Sequence, residues 1–554
     1  MTIFAKFKRE SVIYKKLGEI NMNNDYRTGG RRKMPIGIQS FDKIVSGEWV
    51  YVDKTALVYA LANDATHNFL SRPRRFGKSL LISTLAAYFR ADKELFKGLA
   101  LEKLETEWVE YPVFIFDFVA DTYDENITQL QGFLNHKLSN LEREWGKDET
   151  EDSFGARFTG LVKRAAEKTG KNVVILIDEY DRALTQTMEN PELNQQVKAT
   201  LKGFFSVLKG SDQNIRFSLL TGVTKFSKVS VFSDLNQLCD ISLDAKYTTI
   251  CGITQEELET NFAPEIETLA AETGRSRVEM IEKLKDEYNG YYFYYGGPSV
   301  YNPFSTVNVL SKGRLSDYWY ETGTPTFLVE ELLQNKFDII DFEKGVTISA
   351  AGINDYRREA GNPIPLLFQT GYLTIKKYNS QFDLYTLGFP NGEVKRGFLN
   401  SLLQSYSVQA GSGSTYSYAQ FGTDLLEGNL ENFFNRLTSF FAALPYDLHS
   451  NLHNERDYEY AFYVLMTLLG ELTFTEVHGN IGRADAIIKL DERVYIFEFK
   501  VASGGTVEEA LTQIEEKGYA KPFETAPNDK REIIKIGVVF DTEKRNIKEW
   551  RRGE

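Results

Sequence analysis

Thirteen residues, FLSRPRRFGKSLL from Phe69 to Leu81, put a lysine and a hydroxyl directly after a glycine, where an apolar run gives way to helical spacing. A phosphate-binding loop needs that order: backbone amides and a lysine hold the phosphates, and a hydroxyl at the helix start touches Mg2+. In the G-x-x-x-x-G-K-[ST] pattern the second glycine is Gly77, so the first belongs at 72, where this chain has Arg72. A first glycine ordinarily supplies a tight turn, so the loop expected here is a divergent one. Arg74, Arg75, Phe76, Gly77, Lys78, Ser79 and Leu80 are the residues placed to hold a nucleotide, with Ser79 on the metal. Arg74 and Arg75 either bring charge to the phosphates or form a surface turn.

Such a loop works only with an acid at the end of a neighbouring buried strand. The run VVILIDE ends in Asp178 and Glu179. Asp178 would hold Mg2+ through water, and Glu179 would polarise the attacking water. The later run FSLLTGV ends near Thr221 and Thr224, either of which could sense the terminal phosphate. Arg216, Lys225 and Lys228 are candidates for an arginine-finger type of cation.

A second constellation lies near the C-terminus, in GRADAIIKLDERVYIFEFK. It reads as a β-hairpin in which Glu498 and Lys500, two apart, share one strand face. A two-residue loop puts Asp485 opposite Glu498; a four-residue loop puts it opposite Lys500; an odd loop separates it from both. Two carboxylates so placed make a site for a hard divalent cation, with the Phe499 carbonyl as a further ligand, and a lysine beside them can orient water. A preceding helix offers Glu459 to the same metal. A following helix offers Gln513, Lys517 and Tyr519.

The elements that must position these groups follow from periodicity. HNFLS, YPVFIFDF, NVVILIDEYD and IRFSLLTGV are short apolar runs, CDISLD a weaker fifth, and amphipathic helical stretches separate them. That alternation predicts a parallel sheet covered on both faces over residues 37–250. Thr254 and Glu257 form a capping box where the pattern changes. Residues 254–400 look mostly helical, interrupted by an aromatic turn, NGYYFYYGG, expected either to sit near the interface with the nucleotide-binding domain or to fill the core of that region, the core being favoured. GSGSTYS at 411–417 is a linker signal, and a separate α/β pattern ends the chain. The expected divisions are a basic leader 1–34, a nucleotide-binding domain 35–253, a lid 254–404, a linker and helical connection 405–445, with the helical segment running to about Ala443, and a terminal α/β domain 446–554.

Composition narrows the classes. Among 554 residues 42% are hydrophobic and 26% charged, an ordinary globular balance. No run approaches a membrane span, and the N-terminus lacks a secretory core. Two cysteines, Cys239 and Cys251, permit no disulfide framework, so a reduced, cytoplasmic setting is expected. The net charge of −13 divides unevenly: residues 1–35 carry nine Lys/Arg against three Asp/Glu, net +6, which leaves −19 on the rest. A bulk-acidic body argues against unselective coating of nucleic acid but leaves room for a local groove.

Residues 35–250 resemble the AAA-ATPase-like family through MPIGIQSFDKIV, YVDKT, FLSRPRRFGKSLL, VVILIDEYD and TGVTKFSKVSVFSDLNQLCDISLD, and the likeness continues through ICGIT, YNPFS, YWYETGTPTFL and LFQTGYLTI. That family shows the same arginine-rich loop. The C-terminal segment resembles the PD-(D/E)XK nuclease superfamily. Its metal acids would fall on Asp485 and Glu498, its lysine on Lys500 and its helix residues on Glu459 and Gln513. Ala484 stands where a proline is usual, a change this superfamily tolerates. The resemblance implies an α/β protein with a P-loop NTPase sheet, a mainly helical lid and a restriction-endonuclease-like domain. It implies ATP and Mg2+ (or Mn2+ at the nuclease site) as cofactors and DNA or RNA as partner, with no membrane and homo-oligomerisation left open. The function expected is an ATP-regulated nuclease, with defence against mobile DNA as a setting. The alternative is a nucleotide-switched interaction protein whose terminal domain binds nucleic acid without cutting. A small-molecule kinase fits less well, because the Asp178–Glu179 pair suits water activation.

Overall fold

A computed structural model describes residues 32–225, 237–320, 342, 345–354, 362–408, 418–443, 486–490, 492–502, 504–524, 530–541, 543–544 and 546–553. Five strands, β1 (His67–Ser71), β2 (Val113–Asp117), β3 (Val173–Asp178), β4 (Ile215–Gly222) and β5 (Cys239–Asp240), make one parallel sheet in the order β2-β3-β4-β1-β5. These are the five runs expected from the sequence. They read as unbroken apolar runs because both faces are covered. Alternate residues of β3 feed two cores. Val174 and Leu176 meet Leu81 and Leu85 of the helix Lys78–Phe89. Val173, Ile175 and Ile177 meet Leu134, Leu161 and Val197 on helices Ile127–Trp145, Phe154–Thr169 and Pro191–Phe205. With β4 between β1 and β3, the C-terminal ends of all three lie side by side, where ligands bind in sheets of this class.

Beyond this sheet the chain pairs β6 (Ile253–Thr254) with β7 (Val300–Tyr301) and forms helices Gln255–Asn261, Ala263–Glu272, Arg277–Tyr288 and Pro303–Lys312. Thr254 and Glu257 make the expected capping box. Among these mainly helical elements sits a three-stranded antiparallel sheet the sequence reading did not single out: β8 (Val346–Ser349), β9 (Thr374–Asn379) and β10 (Leu384–Gly388), in the order β8-β10-β9. Lys376 and Lys377 break the apolar pattern of β9 and most of β10 is half-buried, so neither has the signature of a covered strand.

The terminal sheet runs β11 (Ala486–Lys489), β12 (Arg493–Val501), β13 (Glu532–Asp541) and β14 (Asn546–Arg552), in that spatial order. β12 and β13 are parallel and the other pairs antiparallel. Helix Val507–Lys517, capped by a Thr506–Glu509 box, crosses between β12 and β13. Gly537 lets it come close: a Cβ there would lie 2.8 Å from the Val507 carbonyl. Helices Tyr418–Leu426 and Leu430–Ala443 belong with this sheet. Tyr495 donates its hydroxyl to Leu425 O at 2.7 Å, and Phe434 stacks on Trp550 at 4.3 Å. The helical segment expected to about Ala443 is therefore present and packs on this sheet; the GSGSTYS stretch lies outside the described residues. Among those, no helix is long and apolar enough to cross a membrane.

One carboxyl organises the middle region. Glu393 has no exposed surface and accepts from the Ser305 hydroxyl at 2.8 Å and the Trp319 amide at 2.7 Å. Burial pushes it up from 4.5 to about 8. The folded chain therefore holds a proton that the unfolded chain releases, so this stability is complete below about pH 4.5 and is lost as pH rises through about 8. The difference is on the order of 5 kcal/mol. Glu393→Gln keeps the donors satisfied without the charge. Thermal unfolding should show it level with the native chain near pH 5 and melting higher than it near pH 8.5; parallel profiles would refute the assignment.

Candidate functional site

The residues singled out at the N-terminal half converge on one cavity of about 580 Å3 at the ends of β1, β3 and β4. Arg74, Arg75, Gly77, Lys78, Ser79, Leu80, Glu179 and Thr224 line it. Phe76, Asp178 and Thr221 stand behind the lining. Asp178 is buried and accepts from the Thr221 hydroxyl, which joins the ends of β3 and β4.

The loop explains its missing glycine. Left-handed backbone occurs at Arg75 (φ 68°) and Gly77 (φ 91°), not at position 72. Arg72 is buried and turns away from the cavity. Its guanidinium donates to Ser71 O at 2.9 Å, Ser242 O at 2.7 Å and Tyr247 O at 3.0 Å, and lies 3.8 Å over the Phe293 ring. Burial lowers its pKa to about 10, so it stays charged near neutrality. Lys78 donates Nζ to Arg72 O at 3.0 Å and Pro73 O at 3.1 Å. The lysine is thus held inside the loop, among carbonyls that an anion's oxygens can replace.

The middle region grips the loop from above. Trp319 donates its indole N–H to Arg74 O at 3.0 Å, Arg75 lies 4.8 Å over Phe304, and Phe76 packs on Tyr291 at 4.8 Å and Phe293 at 5.7 Å. Two of the aromatic turn's rings, Tyr291 and Phe293, are buried and also meet the loop, while Tyr294 and Tyr295 are exposed. Phe76, which the sequence places among the nucleotide-holding residues, is buried and anchors the loop against the Tyr291 and Phe293 rings. Arg74 and Arg75 are exposed and line the cavity, so their charge faces the space a ligand would fill.

Glu179 sits in left-handed backbone (φ 50°) and faces the cavity. Burial raises its carboxyl, with Lys78 pulling the other way. Asp181, absent from the sequence reading, is the organiser here: its Oδ2 accepts from Val223 N (3.0 Å), Thr224 N (2.6 Å) and the Thr224 hydroxyl (2.6 Å). Tyr180 adds a bond to Thr224 O at 2.7 Å. A Cβ on Gly222 would strike both side chains, so glycine is needed for this close approach. The third acid of DEYD, Asp181, is a signal visible in the sequence. Trp319, some 240 residues from the loop, left none. Two finger candidates are placed elsewhere: Arg216 bonds Ala62 O at 3.1 Å at the opposite end of β4, and Lys225 is buried against Asp240 and Asn354. Lys228 lies outside the described residues.

In the terminal domain the hairpin closes through Leu490 N–H to Arg493 O at 2.7 Å, and Ala486 pairs with Phe497, the register of a two-residue loop. Glu498 is buried and Lys500 shares its face. Gln513, from the crossing helix, donates to Glu498 Oε1 and accepts from Lys500 Nζ at 2.6 Å; Lys500 Nζ lies 3.5 Å from Glu498 Oε1. Asp485 and Glu459 lie outside the described residues, and within those no three of His, Cys, Asp and Glu gather to hold a metal. The buried carboxylate supplies one hard oxygen of the kind Mg2+ takes. Lys517 is exposed and Tyr519 packs into a small core beside the sheet, so neither joins the Glu498 cluster.

Comparison with known proteins agrees with both halves. Residues 35–232 match the family model described as "Predicted AAA-ATPase", and residues 453–550 that of the PD-(D/E)XK nuclease superfamily. An uncharacterized protein from the vnfD 5′ region of Azotobacter chroococcum mcd 1 is 36% identical over 538 residues, spanning 93% of this chain and 98% of that one. The chain belongs to this AAA-ATPase-like family. Its architecture joins an ATPase-type domain to a nuclease-like one.

In the AAA-ATPase-like domain, Arg72 thus does work other than a glycine's. Arg72→Gly restores the general pattern but strips donors from three carbonyls and opens a void. It should cost about 3 kcal/mol in urea unfolding. A variant as stable as the native chain would show that the buried guanidinium is dispensable.

Proposed function

We propose that the protein hydrolyses ATP in the 580 Å3 cavity and couples this to metal-dependent cleavage of nucleic acid by its terminal domain. The observation that carries the first half is the convergence of Lys78, Ser79, Arg74, Arg75 and Glu179 on one cavity of ligand size. Lys78 would leave the loop carbonyls for the phosphates, and Arg74 and Arg75 would add positive charge there. Ser79 and Asp178 would hold Mg2+, which when bound neutralises phosphate charge. Glu179, its carboxyl raised by burial, is suited to take a proton from water. The Asp178–Thr221 bond and the Asp181 network would keep that end rigid while Thr224 meets the terminal phosphate. Residues 254–404 would act as a lid, since they already hold the loop through Trp319, Phe304 and Tyr291.

Lys78→Ala should weaken ATP binding by roughly tenfold or more. Glu179→Gln should keep ATP bound and lower hydrolysis by about a hundredfold. ATP should protect the lid from limited proteolysis while cutting near 405–418 persists. Equal hydrolysis by native chain and Glu179→Gln would remove Glu179 from the role, and an ATP-independent digest would remove the lid.

For the terminal domain, Glu498 and Asp485 would bind the metal ion, with the Phe499 carbonyl and Glu459 near it. Lys500, steered by Gln513, would position the attacking water. Defence against mobile DNA is a setting such coupling would serve. Supercoiled, linear and single-stranded DNA and RNA, offered with Mg2+ or Mn2+ and with or without ATP, test this directly. Asp485→Ala and Glu498→Ala should lose metal binding and cleavage together; Lys500→Ala should keep metal and lose cleavage. Binding without cutting by the native chain would replace cleavage with recognition, and three variants as active as native would end the nuclease reading.

A further inference from the structure

Among the described residues four cations line the cavity, and three of them, Arg74, Arg75 and Lys78, belong to the phosphate loop. The fourth, Arg182, comes from the turn after β3 and was not singled out in the sequence. It shares its wall with Glu179: Nη1 lies 3.8 Å from Glu179 Oε2. Little holds the guanidinium there. The 3.8 Å contact is too long for a hydrogen bond, and the side chain keeps 30% of its surface exposed. An ion pair of that kind is weak. Nε reaches Asp121 O only at 3.5 Å. Arg72 shows the contrast, fixed by three carbonyls at 2.7 to 3.0 Å.

A loosely held guanidinium beside the water-activating carboxylate is placed for more than an ion pair. Its planar fork of N–H donors matches phosphate oxygens. Water held by Glu179 sits about 2.8 Å from the carboxylate and about 3 to 3.5 Å from the phosphorus it attacks. A cation already 3.8 Å from that carboxylate therefore needs only a side-chain rotation to meet the same phosphoryl group. Negative charge is spread over three equatorial oxygens in the transition state, and the loop cations approach them from the loop alone. Arg216 and Lys225, the finger candidates within the described residues, are committed elsewhere.

We propose that Arg182 is a catalytic residue supplied in cis: with ATP bound it leaves Glu179 for an equatorial oxygen of the terminal phosphoryl group and stabilises the transition state. The proposal rests on the cavity being the ATP-hydrolysing site. In that step the water oxygen bonds to the terminal phosphorus as the bond to the bridging oxygen breaks. The electron pair leaves with ADP, and the water's proton passes to Glu179.

Single-turnover hydrolysis and nucleotide binding by the full chain test this. Arg182→Ala should bind ATP within about threefold of the native chain, because the contact forms in the transition state. Its hydrolysis should fall by at least roughly a hundredfold. It should also lose the gain in affinity that aluminium fluoride, a mimic of the planar transferring group, gives to ADP on the native chain. Arg182→Lys keeps the charge without the fork and should fall between the two. An Arg182→Ala that hydrolyses ATP normally, or loses affinity and rate alike, overturns the proposal. A residue that merely held Glu179 in place would add nothing once Glu179 is replaced. The double variant with Glu179→Gln should therefore lose about a further tenfold or more, and no further loss overturns the proposal. Specific activity that rises with chain concentration and survives Arg182→Ala assigns the cation to a second copy and overturns it too. Failure of the site itself looks different: the native chain neither binds nor hydrolyses ATP, Lys78→Ala changes nothing, and both readings end.

Discussion

A guanidinium taken out of water beneath the phosphate loop constrains what stands above it. Arg72 reaches the carbonyls of Ser71, Ser242 and Tyr247 and lies over Phe293, so one side chain joins the end of β1, the turn after β5 and the aromatic turn of the middle region. A buried charge is tolerable only when its hydrogens are bonded, and three carbonyls and a ring face meet most of that need. Its backbone carbonyl is also one of the two that receive Lys78. The lysine proposed to meet phosphate is thus held by the residue whose side chain secures the floor.

With the floor fixed, backbone strain can be concentrated where chemistry is needed. Arg75 and Glu179 are non-glycine residues in left-handed conformation, each costing on the order of 1 kcal/mol or more, and both face the cavity. Surrounding contacts offset that cost: Trp319 and Phe304 hold the loop around Arg75, and the bonds from Tyr180 and Asp181 hold the chain just after Glu179. Burial raises the proton affinity of the Glu179 carboxyl, against the pull of Lys78.

The parts legible in the sequence were those set by local pattern. Buried parallel strands are continuous apolar runs, so β1 to β4 could be read directly, and the Thr254–Glu257 box announced its helix. The terminal hairpin was legible to within a choice of even registers, and the Leu490–Arg493 closure selects the shorter loop. Contacts across hundreds of residues had no such signal. Nothing near Trp319 tells that its indole meets Arg74 O, and Phe76 looks like a ligand-side residue until Tyr291 and Phe293 are seen to enclose it. β9 and β10 escaped notice because half-exposed antiparallel strands carry lysines and tyrosines that blur the alternation.

The end of β4 is where the nucleotide cavity and the middle region become one mechanical unit. Thr224 faces the cavity, and the next residue, Lys225, donates its amide to Gln369 Oε1 at 2.7 Å. Gln369 also donates to Ile353 O at 3.1 Å and lies on the short helix whose Leu366 and Thr370 line the same cavity. The Lys225 ammonium meanwhile bonds Asp240 and Asn354, so β5 enters the linkage as well. A shift of Thr224 by even a fraction of an ångström cannot be absorbed there, because donors and acceptors on both sides are buried and would be left unpaired. The end of β4 and the helix Ile364–Thr370 are thus tied together by buried hydrogen bonds.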